Sequence, residues 1–233
     1  MKKFKLKIVN DTNEKANWLR AAVLGSNDGI ISIAGLVIGV SEATQSKAAV
    51  ITAGLAGIIA GAISLGAGEY VSVCSQRDME NALLSKEKSD LIKYPKEEYN
   101  DLVLAYEDDG MKPKMAKAVA TELTESNAFI THAEVDLHID PDHLTSPWSS
   151  VIASTLSFII GALIPLSAIM LPVGDFTLII VSVAVVVALS ITGVLTAKLS
   201  GASIAKSTLR VVAGGVLAMI VTYLAGYLFR TLA

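Results

Sequence analysis

Apolar positions are not scattered along this chain. They collect into five long runs, at 21–40, 48–73, 151–171, 176–197 and 211–229, that carry almost no charge. A helix needs about 20 mainly apolar residues to cross the hydrocarbon core of a bilayer. Each run meets that length, and none shows the strict alternation of a barrel strand. The pattern predicts an all-α polytopic membrane protein with five transmembrane helices.

The pattern is interrupted once. Residues 75–140 hold fifteen acidic and eight basic side chains, most of the chain's carboxylates. A charge at the bilayer centre costs on the order of 3 kcal/mol or more, so this segment belongs in water. It reads as three helices between spans two and three. The first, 78–91, continues span two. Tyr94-Pro95 breaks the chain, and 96–108 forms the second. Asp109-Gly110 ends that helix, Pro113 opens the third, and the third runs to about His138. Pro141 and Pro147 mark the return to the membrane. The expected division is a tail at 1–17, spans one and two at 18–74, an acidic helical domain at 75–147 and spans three to five at 148–233.

Composition agrees, with a mean hydropathy of +0.56, 52 % apolar and 18 % charged residues. An ordinary soluble domain has about a quarter charged residues. The basic start followed by the polar stretch 11–17 is a poor signal peptide, so the first run is expected to stay as a span. The lone Cys74 excludes an internal disulfide. Charge distribution suggests orientation. Lys2, Lys3, Lys5, Lys7, Lys15 and Arg20 precede span one, and Lys198 and Lys206 lie between spans four and five. The other side offers Lys47, Arg230, Glu42 and Asp175. The N-terminus and the insert are therefore expected in the cytosol and the C-terminus outside. A re-entrant run and a tilted span five stay open as alternatives. The absence of an organelle signal fits a bacterial plasma membrane.

Asp28 lies about a third of the way into span one. An ionisable group there is a functional candidate by default. Gly25, Asp28, Ser32, Gly35 and Gly39 share one helical stripe, and small residues let helices approach. The plainer alternative is a packing face with Asp28 satisfied by a neighbour. Span two repeats the stripe with Gly54, Gly57, Gly61, Ser64 and Gly68, and Glu69 stands beside it. Here the alternative is a side chain that snorkels to the interface. Pro165 in span three frees the carbonyl of Gly161, to bend the helix or to line a cavity.

In the insert, Glu87 and Asp90, Glu98 and Asp101, and Glu122 and Glu125 are each three apart, and His132 and Asp136 are four apart. Such pairs share a helix face. Carboxylates from several helices with some imidazole suit hard or borderline divalent ions such as Mn²⁺ and Fe²⁺. The competing explanation is a solvated face paired with Lys86, Lys88, Lys93 and Lys96. His138 and His143 sit near the membrane return without a pattern. No thiolate cluster, nucleophile–base–acid set, phosphate loop or HExxH pattern is visible, so neither an enzyme nor a nucleotide site is expected, and no nucleic-acid partner.

Four motifs in order resemble the vacuolar iron transporter family: Ser26-Asn27-Asp28-Gly29, the run Gly61-Ala62-Ile63-Ser64-Leu65-Gly66-Ala67-Gly68-Glu69-Tyr70-Val71-Ser72-Val73 with Ser75-Gln76-Arg77-Asp78, Gly161-Ala162-Leu163-Ile164-Pro165-Leu166, and Lys198-Leu199-Ser200-Gly201-Ala202-Ser203. The resemblance covers about 18–229. It implies a five-span homodimer with a pore between subunits and proton-coupled export of Fe²⁺, often Mn²⁺, from the cytosol. It also implies no tightly bound cofactor, the same ions serving as cargo and regulators. Carried over, Asp28 is the pore carboxylate. The pathway takes in Glu69, Asn27, Ser32, Ser64 and Leu65. The cytosolic ligands fall near Glu87, Asp90, Glu98, Asp101, His132 and Asp136. Two departures stand out. Leu65 replaces a common methionine and cannot donate to a metal. Several capture positions are Asp or His instead of Glu, which shortens their reach. A membrane-anchored metal sensor or buffer without transport is the alternative reading.

Overall fold

In a computed structural model the described residues are 2–44, 46–142, 144, 146–172 and 174–232, with side chains from Trp18 onward except that of Asp175. The side chains of Lys2, Lys3, Lys5, Lys7, Lys15, His143 and Asp175, used above, lie outside the described residues.

The described residues form helices and no strands. They are α1 (Lys2–Ala43), α2 (Lys47–Lys93), α3 (Pro95–Asp108), α4 (Pro113–Val135), α5 (Pro147–Met170), α6 (Thr177–Ser200) and α7 (Ile204–Leu232), with a 3₁₀ turn at Gly174–Phe176. Five are long and apolar enough to cross a membrane: α1 from Trp18, α2, α5, α6 and α7. As expected, α2 continues past span two, and Tyr94-Pro95 ends it. The chain divides into two compact units, 1–71 with 147–233, and 72–146.

In the first unit α1 is the central helix, packed against α5, α6 and α7, while α6 also packs on α5 and α7. Ile30, Ile33, Ala34 and Val37 of α1 meet Phe158, Ala162 and Leu166 of α5, Val185 and Leu189 of α6, and Ile58 and Ala62 of α2 in one buried cluster. Between membrane helices such packing rests on van der Waals contact and not on exclusion of water. Glycines make the closest approaches. A Cβ on Gly25 or Gly29 would strike the backbone of Ser154 or Phe158, and one on Gly161 would strike that of Ser26. Large apolar side chains such as Leu209, Leu217, Leu224 and Leu228 of α7 stay exposed, as a helix facing lipid requires.

Two sequence expectations are refined. The α1 stripe does not face one neighbour. Gly25 and Gly29 abut α5, whereas Gly35 and Gly39 lie against Thr222 of α7. Glu42, one turn further, is 8 % exposed and pairs with Arg230 of α7 at 2.7 Å. Pro165 is fully buried in the core of an unbroken α5 and lines no described cavity.

In the second unit α3 packs on α4 through Leu102, Val103, Ala116 and Ala120. Pro95 and Pro113 open the two helices, where a missing N–H costs nothing. Gly110 turns between them with a φ of 90° that an L side chain resists. The hydroxyl of Tyr99 bonds to the Lys117 carbonyl and Thr121 Oγ1. The third insert helix is not continuous to His138. It breaks at Asn127, whose backbone is extended, and ends at Val135. The Ile130 N–H donates to Asn127 Oδ1 at 3.1 Å, so this side chain caps the shorter helix that follows.

Candidate functional site

Two groups of polar residues stand out, one in each unit. The first lines a cavity of about 480 Å³ among the spans. Its walls are Asp28, Ser32, Ile33 and Leu36 of α1, Gly57, Gly61, Ser64, Leu65, Gly68 and Glu69 of α2, and Phe158 of α5. Glycines let these walls close in. The position of a Cβ on Gly61 is already taken by the Phe158 ring, and one on Gly57 would lie 2.9 Å from Ile33. At about 1.5 Å rise per residue, Asp28 sits about 22 Å and Glu69 about 33 Å along their helices from the α1–α2 connection. The two carboxylates thus line one cavity at different depths, on different helices. The Ser32 hydroxyl donates to the Asp28 carbonyl at 2.7 Å, which leaves its oxygen free to accept or ligate. Asp28 and Ser32 are exposed in the single chain.

The second group lies in the insert. Glu87 near the end of α2, Glu98 in the first turn of α3 and His132 in the last turn of α4 bring one potential ligand atom each to within 4.8 Å of one another. His132 is fully buried. Its Nδ1 lies 2.8 Å from Asp136 Oδ2, 3.3 Å from Glu87 Oε1 and 3.7 Å from Glu98 Oε2. His132 Nε2 and Glu87 Oε1 are buried without a hydrogen-bond partner. Burial first, then the charge of Glu98, raises the Glu87 pKa; His132 opposes this, and Asp136 and Asp90 add to it. Burial also leads for Glu98, where His132 opposes and Asp101, Asp90 and Asp136 reinforce the rise. Crowded, half-dehydrated carboxylates around one imidazole form a site that a divalent cation would relieve.

Of the expected pathway residues, Asp28, Glu69, Ser32, Ser64 and Leu65 line one cavity. Asn27 is not among the lining residues, and its Oδ1 is buried and unpaired. Of the expected ligands, Glu87, Glu98, His132 and Asp136 converge. Asp90 and Asp101 stand close enough to act on their charge but supply no atom to the described group. Glu122 and Glu125 precede the Asn127 break, are exposed and stay out of it. Sequence reasoning missed Phe158 and Gly57 as cavity walls and the Glu42–Arg230 pair. Helical spacing gives no sign of a partner on another helix.

Comparison with known proteins follows the same lines. The profile of the VIT family matches residues 19–227. A protein of Acanthamoeba castellanii named vacuolar iron transporter is 37 % identical over 218 residues, covering 93 % of this chain and 80 % of its own. Vacuolar iron transporter homolog 2.1 of Arabidopsis thaliana is 32 % identical over 214 residues, with 91 % and 82 % covered. Homolog 5 of Oryza sativa subsp. japonica is 37 % identical over 214 residues, with 91 % and 81 % covered. These relatives come from an amoeba and plants and lend no support to a bacterial plasma membrane.

Proposed function

The chain belongs to the VIT family, and from that membership and the geometry above we propose that it exports Fe²⁺, Mn²⁺ or both from the cytosol in exchange for protons. The observation that carries this reading is the cavity in which Asp28 and Glu69 meet Ser32 and Ser64 among apolar spans. Carboxylate and hydroxyl oxygens in a largely apolar wall offer a cation the ligands it loses on leaving water. The relatives' names supply the iron.

Ionised Asp28 holds the cation, with Glu69 as a second station, and protonation from the far side releases it. Coupling then needs only that each carboxylate binds either a proton or a metal, in states open to opposite sides. Leu65 contributes packing and no donor, so ligation in the cavity is by oxygen. The insert binds the same ions on the cytosolic side through Glu87, Glu98, His132 and Asp136, with Asp90 and Asp101 adding negative charge. Asp28 and Ser32 are exposed in one chain, which suits a pathway completed by a second copy in a homodimer. The basic flanks at Arg20, Lys198 and Lys206 favour a cytosolic N-terminus and insert.

The test is flux into proteoliposomes with Fe²⁺, Mn²⁺, Co²⁺ and Zn²⁺ side by side, with and without a proton gradient. Iron or manganese flux that rises with acid on the receiving side and moves protons the other way is expected. Flux indifferent to the gradient removes the antiport. One observation favours the sensor or buffer reading: the insert is a compact unit with a core and a ligand cluster of its own. Metal binding to the whole protein with no flux of any ion would favour it.

A further inference from the structure

The donor set in the insert is uneven. Three carboxylate oxygens, from Glu87, Glu98 and Asp136, surround a single ring nitrogen, His132 Nδ1. That nitrogen belongs to a fully buried ring whose other nitrogen has no hydrogen-bond partner among the described residues. The ring is 0 % exposed, and the three oxygens lie around Nδ1. Its separations from Glu87 and Glu98, 3.3 and 3.7 Å, bracket the donor–donor edge of about 3.4 Å expected for a tetrahedral ion with bonds of about 2.1 Å. An all-oxygen cage grades divalent ions mainly by charge and size. Imidazole adds a borderline donor that favours Fe²⁺, Co²⁺ and Zn²⁺ and gives little to Mg²⁺, Ca²⁺ or Mn²⁺.

We propose that His132 is the specificity-determining residue of the insert, which through Nδ1 makes this site select borderline transition-metal ions over Mn²⁺ and the abundant hard ions. The inference rests on the reading of the insert as a metal site but does not depend on transport. Asp136 is the positioning residue. Its carboxylate, 2.8 Å from Nδ1 and one helical turn away, holds the ring in the metal-free protein and becomes the third oxygen when Nδ1 exchanges that hydrogen bond for the metal. The Asn127 break serves the same end, since it starts the short helix that carries His132 into the cluster.

The test uses the full chain in detergent and measures binding of Co²⁺, Mn²⁺ and Mg²⁺ to the wild type and to His132→Glu, which keeps a ligand but makes the site all-oxygen. Any oxygen site prefers Co²⁺ to Mn²⁺ to some degree, so the change in the ratio is the readout. The Co²⁺ to Mn²⁺ affinity ratio is expected to fall at least tenfold in His132→Glu, with Mn²⁺ binding retained or strengthened. An unchanged ratio overturns the proposal. Should His132→Glu fail to fold, X-ray absorption of the wild type with one equivalent of Co²⁺ decides: imidazole scattering supports the assignment, and a shell of oxygen alone overturns it. Intact selectivity with no ion flux would defeat the transport reading and leave this one standing. Normal flux with an unchanged ratio would do the reverse.

Discussion

At the scale of single residues, the carboxyl groups of the insert carry the clearest physical consequence. Burial and mutual repulsion raise the pKa values of Glu87 and Glu98 above the ordinary glutamate value of 4.5. The folded insert therefore holds these protons more tightly than the unfolded chain does. The resulting stability is fully present below the ordinary value and is lost as pH rises through the folded-state values. Metal-free protein is expected to melt at a higher temperature near pH 5 than near pH 7.5, and Glu87→Gln to shrink that difference. A divalent ion added at pH 7.5 should raise the melting temperature by mass action, and a chelator should reverse it. Scanning calorimetry of both proteins checks this; an equal pH difference in Glu87→Gln would count against it. Asp28 stands out in the sequence for a different reason. A lone carboxylate in an apolar run has few ordinary explanations, whereas acidic residues in a charged insert have many. Spacing alone therefore did not separate Glu87 and Glu98, which join the cluster, from Glu122 and Glu125, which do not.

At the scale of elements, α1 and α5 are held as near as backbones allow. A side chain on Gly29 would meet the backbone of Phe158, which has no freedom to move aside. Gly29→Val is expected to cost on the order of 3 kcal/mol or to prevent folding, seen as a lowered melting temperature or aggregation on size exclusion. Gly214 has open space around its Cβ position. Gly214→Ala should be neutral or stabilising by up to about 1 kcal/mol, which makes it the matched control. In the insert, Asn127→Ala removes the cap on the second half of α4, for about 1 kcal/mol. Because His132 lies on that half, metal affinity measured by calorimetry should fall with it, while α3 and the first half of α4 keep their helicity. The five spans were legible because apolar length alone specifies a membrane helix. The break at Asn127 was less so, since a polar residue inside an amphipathic stretch reads equally as cap or as surface. The division of the α1 stripe between α5, α7 and the cavity was not legible at all. A helical wheel gives the angle of a side chain but not which helix lies there.

At the scale of the whole molecule, the chain joins a bundle of membrane helices to a charged helical unit, each with its own core, the first with polar side chains in a cavity and the second with a ligand cluster around His132. The bundle is built so that glycines on α1 and α2 do different jobs. Some bring backbones together, Gly57 and Gly61 admit the side chains of Ile33 and Phe158, and Gly68 leaves open space on the cavity beside Glu69. If both carboxylates serve one cation path, Glu69→Gln should slow flux while leaving binding in the insert unchanged, and the two assays together separate the sites. The most direct measurement of metal carriage through the cavity is Fe²⁺ and Mn²⁺ flux into proteoliposomes holding equal amounts of wild-type and Asp28→Ala protein, each shown to be folded by its melting temperature. Loss of at least nine-tenths of the flux in Asp28→Ala is the expected result, and flux at the wild-type rate would contradict it.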